Sequence, residues 1–261
     1  MSQPEHLIVT TTDQLCEIRF NRPHRLNAVV EELYTELLAA LAQAEADPEV
    51  RVVLLTGEGR AFCVGADLKA HQAGRTPFAR RQYLRLEQQV CERISHLTKP
   101  VVAAVNGYAL GAGAEMAVAS DFIVIAESAQ IGFPEVTIGN FLGGGVTWLL
   151  PRLVGLAKAR ELLFFGERID GREAARIGLA ARVFPDATFR EAARAFARQL
   201  AQRAPFSLQL VKEQLNHAGE RTFDACLTAE LEGMTFVATT QDWQEGIDAF
   251  AEKRAPRFQG K

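Results

Sequence analysis

The sequence predicts an α/β fold of repeated ββα units, followed by a helical C-terminal part. Three observations carry this. Apolar runs rich in Val, Ile, Leu and Ala recur at Val50–Thr56, Val101–Val105 and Asp121–Ala126, nearly free of polar alternation, as strands buried on both faces are. The first two runs are each followed by a glycine-bearing turn and then a helical stretch. Beyond about residue 155 the strand signal fades and helical segments follow one another. The chain of 261 residues corresponds to one or two domains at about 150 residues each. We divide it into a ββα-repeat core at 1–190 and a helical region at 191–261.

The elements follow in order. Leu7–Thr12 and Leu15–Phe20 are β-rich runs around Asp13-Gln14, an opening hairpin whose turn lacks glycine. Asn21-Arg22-Pro23 breaks it. Val29–Ala46 is helical, with Leu33, Leu37, Leu38 and Leu41 at 3.6-residue spacing, and Asp47-Pro48 ends it. After the strand Val50–Thr56, Gly57-Glu58-Gly59 turns the chain toward a long polar-faced helix at Pro77–Leu97. Lys99-Pro100 opens the next strand, Gly107–Gly113 forms a glycine-rich turn, and Ala112–Ser120 reads as a helix. Asp121–Ala126 is the third buried strand. A second glycine-rich loop, Gly139–Gly145, precedes the apolar helix Val146–Leu153. Helices are then expected at Ala157–Phe165, Gly171–Ile177, Phe189–Arg203, Phe206–Ala218 and Thr222–Thr239.

Composition excludes several classes. Hydrophobic residues at 48% and charged residues at 23% suit a globular protein with a full core. A formal charge of −3 offers no basic excess for nucleic acid or an anionic membrane surface. Cys16, Cys63, Cys91 and Cys226 form no CxxC pair, so reduced thiols in a reducing compartment are expected. His6, His24, His71, His96 and His217 lack metal-ligand spacing, and no metal site is expected. The first residues have no basic segment leading an apolar one, which points to a cytoplasmic chain. Val101–Ser120 carries one charge, Glu115, over a length near that of a spanning helix. Its Ala and Gly content, with Asn106 and Glu115, favours a buried strand, turn and helix instead.

Two segments share a design. Leu55-Thr56-Gly57 closes one strand, and Arg60-Ala61-Phe62-Cys63-Val64-Gly65-Ala66-Asp67-Leu68 follows. Val105-Asn106-Gly107 closes another, and Ala109-Leu110-Gly111-Ala112-Gly113-Ala114-Glu115 follows. Small residues at such exits let backbone N–H groups face a ligand closely. They are either simple tight turns or a pair of N–H donors aimed at one oxygen, an oxyanion hole. Glu115 lies among Gly, Ala, Met and Val, and Glu135 lies beside the second glycine-rich loop. Each is either a helix-end or loop acid or a buried acid–base group. Asp67 and Asp121 read as capping or loop residues. A dinucleotide-binding βαβ unit over residues 101–127 fails twice. Met116 holds the third glycine position, and Glu115 would face the pyrophosphate.

These segments together resemble the enoyl-CoA hydratase/isomerase, or crotonase, superfamily. Ala61–Leu68 resembles its first signature. Lys99-Pro100 through Gly111-Ala112-Gly113-Ala114-Glu115 to Asp121 resembles the second. Phe133-Pro134-Glu135, Gly171-Arg172-Glu173-Ala174, Arg22-Pro23 with Leu26-Asn27-Ala28, and Glu252-Lys253-Arg254 with Phe258 extend the likeness over nearly the whole chain. It implies a crotonase-like spiral of ββα units whose helical end makes trimers, often paired into hexamers. It implies an acyl-CoA thioester as substrate and no cofactor beyond the coenzyme A of that substrate. By position, the N–H groups of Ala66 and Ala112 would be the oxyanion donors, and Glu115 and Glu135 the acid–base pair of a hydratase. Arg25, Leu26 and Ala28 would lie near the adenine and phosphates, with Ala66, Asp67, Leu68, Lys69 and Ala112 along the pantetheine and acyl entry. Family isomerases typically keep one of the two glutamates, so the expected activity is hydration of a 2-enoyl-CoA, with Δ3-Δ2 isomerisation or a specialised enolate chemistry as the alternative. Many hydratases continue after the second glutamate with Gly-x-x-Pro-Gly-x-Gly-Gly-Thr-Gln-Arg. Here Leu142 replaces the proline, and Trp148-Leu149 replaces Gln-Arg.

Overall fold

The computed structural model describes residues 5–67 and 75–261. Strands β1 (Leu7–Thr12) and β2 (Leu15–Phe20) form the antiparallel opening hairpin. Its two turn residues, Asp13 and Gln14, both take positive φ (50° and 65°), so the hairpin twist is met without glycine. Helix α1 (Glu31–Ala46) buries Leu33, Leu37 and Leu41 from its expected stripe.

The ββα unit then repeats with a division of labour that the sequence reading missed. Strands β3 (Val52–Gly57), β5 (Val101–Val105) and β7 (Phe122–Ala126) were expected. Each is followed by a three-residue strand: β4 (Ala61–Cys63), β6 (Tyr108–Leu110) and β8 (Gln130–Gly132). Segments read as loop and turn therefore pair. The long strands make one sheet in the order β1-β2-β3-β5-β7-β10, parallel except at the hairpin. The short strands make a second sheet, β4-β6-β8-β9. Strands β9 (Arg168–Asp170) and β10 (Arg182–Phe184) lie beyond residue 155, so strands do not vanish there. Three residues are too few for a periodic signal.

Helices α2 (Pro77–His96) and α3 (Ala112–Ala119) complete the second and third units. All eight residues of α3 are buried, which explains its Ala and Gly content: only small side chains fit a helix enclosed on every side. Then come α4 (Val146–Val154), α5 (Leu156–Phe165) and α6 (Gly171–Arg176). The chain ends in α7 (Phe189–Ala201), α8 (Pro205–Ala218), α9 (Phe223–Val237) and α10 (Gln241–Glu252), the last of which was not expected. No helix among the described residues is long and apolar enough to cross a membrane.

Of the charged pairs that join the core to the later helices, two are the most buried. Glu17 on β2 accepts two bonds from Arg194 on α7, at 2.7 and 3.0 Å. Asp121 takes the Val101 N–H at 2.7 Å and the Lys212 ammonium of α8 at 2.8 Å, in the structural role expected of it. The four cysteines carry free thiols, three of them buried.

Candidate active site

The segment after β2 positions the Ala66 loop. Asn27 is fully buried. Its side chain accepts the Arg22 N–H at 2.8 Å and donates to the carbonyls of Glu58 and Ala61 at 3.0 and 2.8 Å. Leu26 and Asn27 take positive φ (53° and 57°), turning the chain so that Val29 runs beside Ala66. Val29 N–H donates to Gly65 O at 2.8 Å, and Asp67 N–H to Val29 O at 3.0 Å. Arg22 bonds the Ala28 carbonyl and reaches Asp67 at 3.4 Å. Asp67 thus ties two loops together.

The second loop arrives at the same place. Gly111, at φ 53°, caps α3, and Ala112 is the first helical residue, one of the positions whose N–H has no partner within a helix. A Cβ on Gly113 would lie 2.0 Å from the Cys63 carbonyl oxygen, so α3 can sit this close to β4 only with glycine there. A Cβ on Gly65 would lie 3.3 Å from Ala112 N, so the two small-residue loops abut. Among the described residues, neither the Ala66 nor the Ala112 N–H is donated to a carbonyl.

Glu135 lies against this junction, and Glu115 stands close enough for its charge to act on Glu135. Glu115 stands in the first turn of α3 and is 2% exposed. Glu135 stands in a 3₁₀ turn over Pro134–Ile138 and is 6% exposed. A Cβ on Gly111 would be 2.8 Å from Glu135 Oε1, which places that carboxyl against the start of α3. The Gly143 N–H donates to Glu115 Oε1 at 2.7 Å. Among the described residues, no N–H or hydroxyl reaches Oε2 of either glutamate. Burial pushes Glu115 up to about 8, with the nearby Glu87 charge adding to it and the Gly143 N–H opposing it. Burial likewise pushes Glu135 up to about 7, helped by Glu115. Two buried acids titrating near neutrality, close enough to act on each other, suit acid–base work.

Glu87 belongs to the site and was overlooked in the sequence. It lies on the stripe of α2 that buries Tyr83, Val90, Cys91 and Ile94, four residues after Tyr83 and four before Cys91. A carboxylate at helical spacing from these apolar residues was the available signal. Its carboxyl hydrogen-bonds that of Glu115, and burial raises its pKa.

The remaining expected residues spread out. Arg25 and Leu26 lie at the outer end of the 22–28 segment, Arg25 exposed, whereas Ala28 is buried. Leu68 and Lys69 lie outside the described residues. A groove of about 430 Å³ opens beyond Gly144, lined by Gln88, Cys91, Trp148 and Asn216 among others. Trp148, one of the departures from the family pattern, lies under the Arg152 guanidinium at 3.6 Å, while Leu142 packs on the core. Another cavity, of about 460 Å³, lies between the C-terminal helices at Phe206, Trp243 and Phe250 and touches none of the expected site residues. Among the described residues no group of three or more His, Cys, Asp or Glu side chains could hold a metal ion.

Comparison with known proteins places the site in context. The enoyl-CoA hydratase/isomerase family profile matches residues 10–261. The chain is 37% identical over 255 residues to a 2,3-dehydroadipyl-CoA hydratase of Escherichia coli K12, covering 98% of this chain and 99% of that protein. It is 36% identical over 247 residues to a 1,2-epoxyphenylacetyl-CoA isomerase of the same strain, covering 94% of each. Its fold superposes with a TM-score of 0.94 on the crystal structure of an enoyl-CoA hydratase from Bacillus anthracis, at 36% identity over 98% of this chain and all of that one.

Proposed function

Because the chain belongs to the enoyl-CoA hydratase/isomerase family, we propose that it adds water reversibly across the double bond of a 2-enoyl-CoA thioester. The observation that carries this reading is the pairing of two buried carboxyls, Glu115 in the first turn of α3 and Glu135 against its cap, both raised toward neutrality.

In this reading the thioester oxygen sits between the N–H groups of Ala66 and Ala112. The start of α3 adds its positive dipole end there. The ionised fraction of Glu115, which grows as the pH nears 8, takes a proton from water as the water oxygen bonds to the β-carbon. The double-bond electrons move toward the thioester, giving an enolate held by the two N–H groups. Neutral Glu135 then delivers its proton to the α-carbon. One O–H bond of water, the O–H bond of Glu135 and the π bond of the alkene break, and a C–O, a C–H and the Glu115 O–H bond form. Solvent exchange afterwards returns the two carboxyls to their starting states. Donors fixed before reaction stabilise the developing charge without reorganising. Arg25, exposed at the outer end of its segment, meets the coenzyme A phosphates, with Leu26 and Ala28 beside it and Asp67 flanking the entry.

Isomerisation of a 3-enoyl-CoA is the alternative, the family's description naming hydratase and isomerase together. Moving a proton between two carbons needs one carboxyl, and the second buried acid here favours hydration. The test is a panel of 2-enoyl-CoA thioesters of increasing acyl length. Loss of the conjugated thioester absorbance is followed, with chromatography of the products. Formation of 3-hydroxyacyl-CoA supports the reading. Formation of 3-enoyl-CoA alone overturns it in favour of isomerisation.

A further inference from the structure

We propose that Glu87 is a positioning residue for Glu115, the two carboxyls sharing one proton so that Glu115 enters the reaction as half of a pair rather than as a lone base. The inference rests on the hydratase reading for its consequence in turnover, but not for its geometry.

Four observations place the pair. Glu87 occupies a half-buried position on the apolar stripe of α2, between Tyr83 and Cys91. Both carboxyls reach the same point above Gly143: a Cβ there would lie 3.0 Å from Glu115 Oε2 and 3.5 Å from Glu87 Oε1. The two carboxyls are hydrogen-bonded to each other. Glu115 is 2% exposed, and among the described residues its Oε2 has no N–H or hydroxyl donor. An ionised carboxylate only accepts hydrogen bonds, so a bond between two carboxyls requires a proton on one of them. The bond between them raises Glu115 and lowers Glu87, so the shared proton rests on Glu115 and is donated to Glu87, while the Gly143 N–H on Glu115 Oε1 partly opposes this.

The groups around the pair reinforce this. Glu135 faces it from the 3₁₀ turn, and its charge raises Glu87 further. Cys91 of α2 and Cys63 of β4 are thiols held neutral by burial. Tyr34 of α1 and Tyr83 of α2 are held neutral in the same way, each with Glu87 among its raising influences. With carboxyls and neutral groups on these sides, losing the shared proton would leave like charges in apolar surroundings, as in paired carboxylates that titrate far apart.

In turnover the consequence is specific. Glu115 in its ionised form accepts the proton of water, and the O–H it gains is donated to Glu87, which fixes its orientation. When Glu115 becomes neutral, the pair holds its one shared proton. Glu87 touches no reacting atom; it sets the orientation and the protonation range of Glu115.

The test has two arms. The first is an infrared titration of the buried protonated-carboxyl band in a Glu135→Gln background, without substrate. The band should persist to about pH 8, and adding Glu87→Gln should move its midpoint down by on the order of one pH unit or more. Glu87→Ala provides the same readout should the Gln variant fail to fold. A midpoint unchanged by either variant overturns the inference, whichever reaction the protein performs. The second arm is the pH profile of kcat/KM for 2-enoyl-CoA hydration. The acid limb should move to lower pH by a similar amount in Glu87→Gln, and a superimposable profile contradicts the positioning role. Absence of hydration in every variant, with the infrared shift present, overturns the hydratase reading and leaves the pair standing.

Discussion

Gly143 holds Glu115: its N–H donates to Glu115 Oε1 at 2.7 Å, and its Cα leaves room for nothing larger beside Oε2. A methyl at 143 would lie 3.0 Å from Oε2, tighter than an undisturbed contact allows. Gly143→Ala should therefore shift the carboxyl without unfolding the loop. The expected outcome is a fall in kcat of about tenfold with KM nearly unchanged, because a base displaced by a fraction of an ångström still binds nothing of the substrate. Steady-state kinetics with unaltered circular dichroism checks it; an unchanged kcat counts against this placement of Glu115.

Burying acids near neutrality has a measurable cost to the fold. Glu115 titrates at about 8 in the folded chain, against an ordinary value of 4.5. Between those values the folded protein keeps a proton that the unfolded chain gives up. The stabilisation tied to that proton is fully present below about pH 4.5 and is lost as pH rises toward 8. Glu115→Gln removes the titration. Its melting temperature should exceed that of the wild type by several degrees at pH 8.5, and by much less at pH 5. One pH unit is about 1.4 kcal/mol, and a kcal/mol moves the melting point by roughly 2–4 °C. Melting curves at the two pH values read the difference directly. Equal gaps at both would mean that Glu115 is ionised in the native state throughout.

The Ala112 N–H can be removed alone. Ala112 is the first residue of α3, a position that tolerates proline, and Gly111 before it accepts the restriction that proline imposes. Ala112→Pro should fold and keep its oligomeric state while losing turnover by about 10²–10³-fold, the typical effect of deleting one oxyanion donor. Ala112→Gly keeps the N–H and should be mild. A folded Ala112→Pro with near wild-type turnover would show that this N–H does not hold the developing charge.

Helix α9 buries none of its residues, and Phe223, Leu231 and Met234 are 77%, 57% and 65% exposed. Together with the exposed Leu215 of α8, these make an apolar face too large for a lone subunit to leave in water at no cost. We expect trimers or hexamers by light scattering at micromolar concentration, and dissociation on Leu231→Asp. A stable wild-type monomer would contradict this.

Much of the site was legible because its requirements are local. Gly111, Gly113 and the alanines between strand and helix are forced by close backbone approach, so the Ala66 and Ala112 loops could be found from small residues at strand exits. Glu115 stood out as the one charge in an apolar run. The long strands showed through their continuous apolar character. The three-residue strands β4, β6 and β8 did not, because pairing across units, rather than local pattern, makes them strands. Helix α10 escaped for a related reason. Its stripe is sparse, and its first turn is tied by distant bonds, the N–H groups of Gln259 and Gly260 donating to Asp242. Glu87 was hidden because a glutamate on a polar-faced helix looks solvated until the neighbouring helix shows which face is covered.

If Glu115 and Glu135 divide the work of hydration, neither can be replaced without loss of that reaction. The most direct measurement is hydration of one good 2-enoyl-CoA by Glu115→Gln and Glu135→Gln, followed beside isomerisation of the matching 3-enoyl-CoA. Each change removes a general acid or base and should lower hydration by about 10²–10⁴-fold while leaving the thioester bound nearly as well. Near wild-type hydration by either variant would contradict the assignment. Dependence on Glu135 alone, with isomerisation faster than hydration, would make the protein an isomerase.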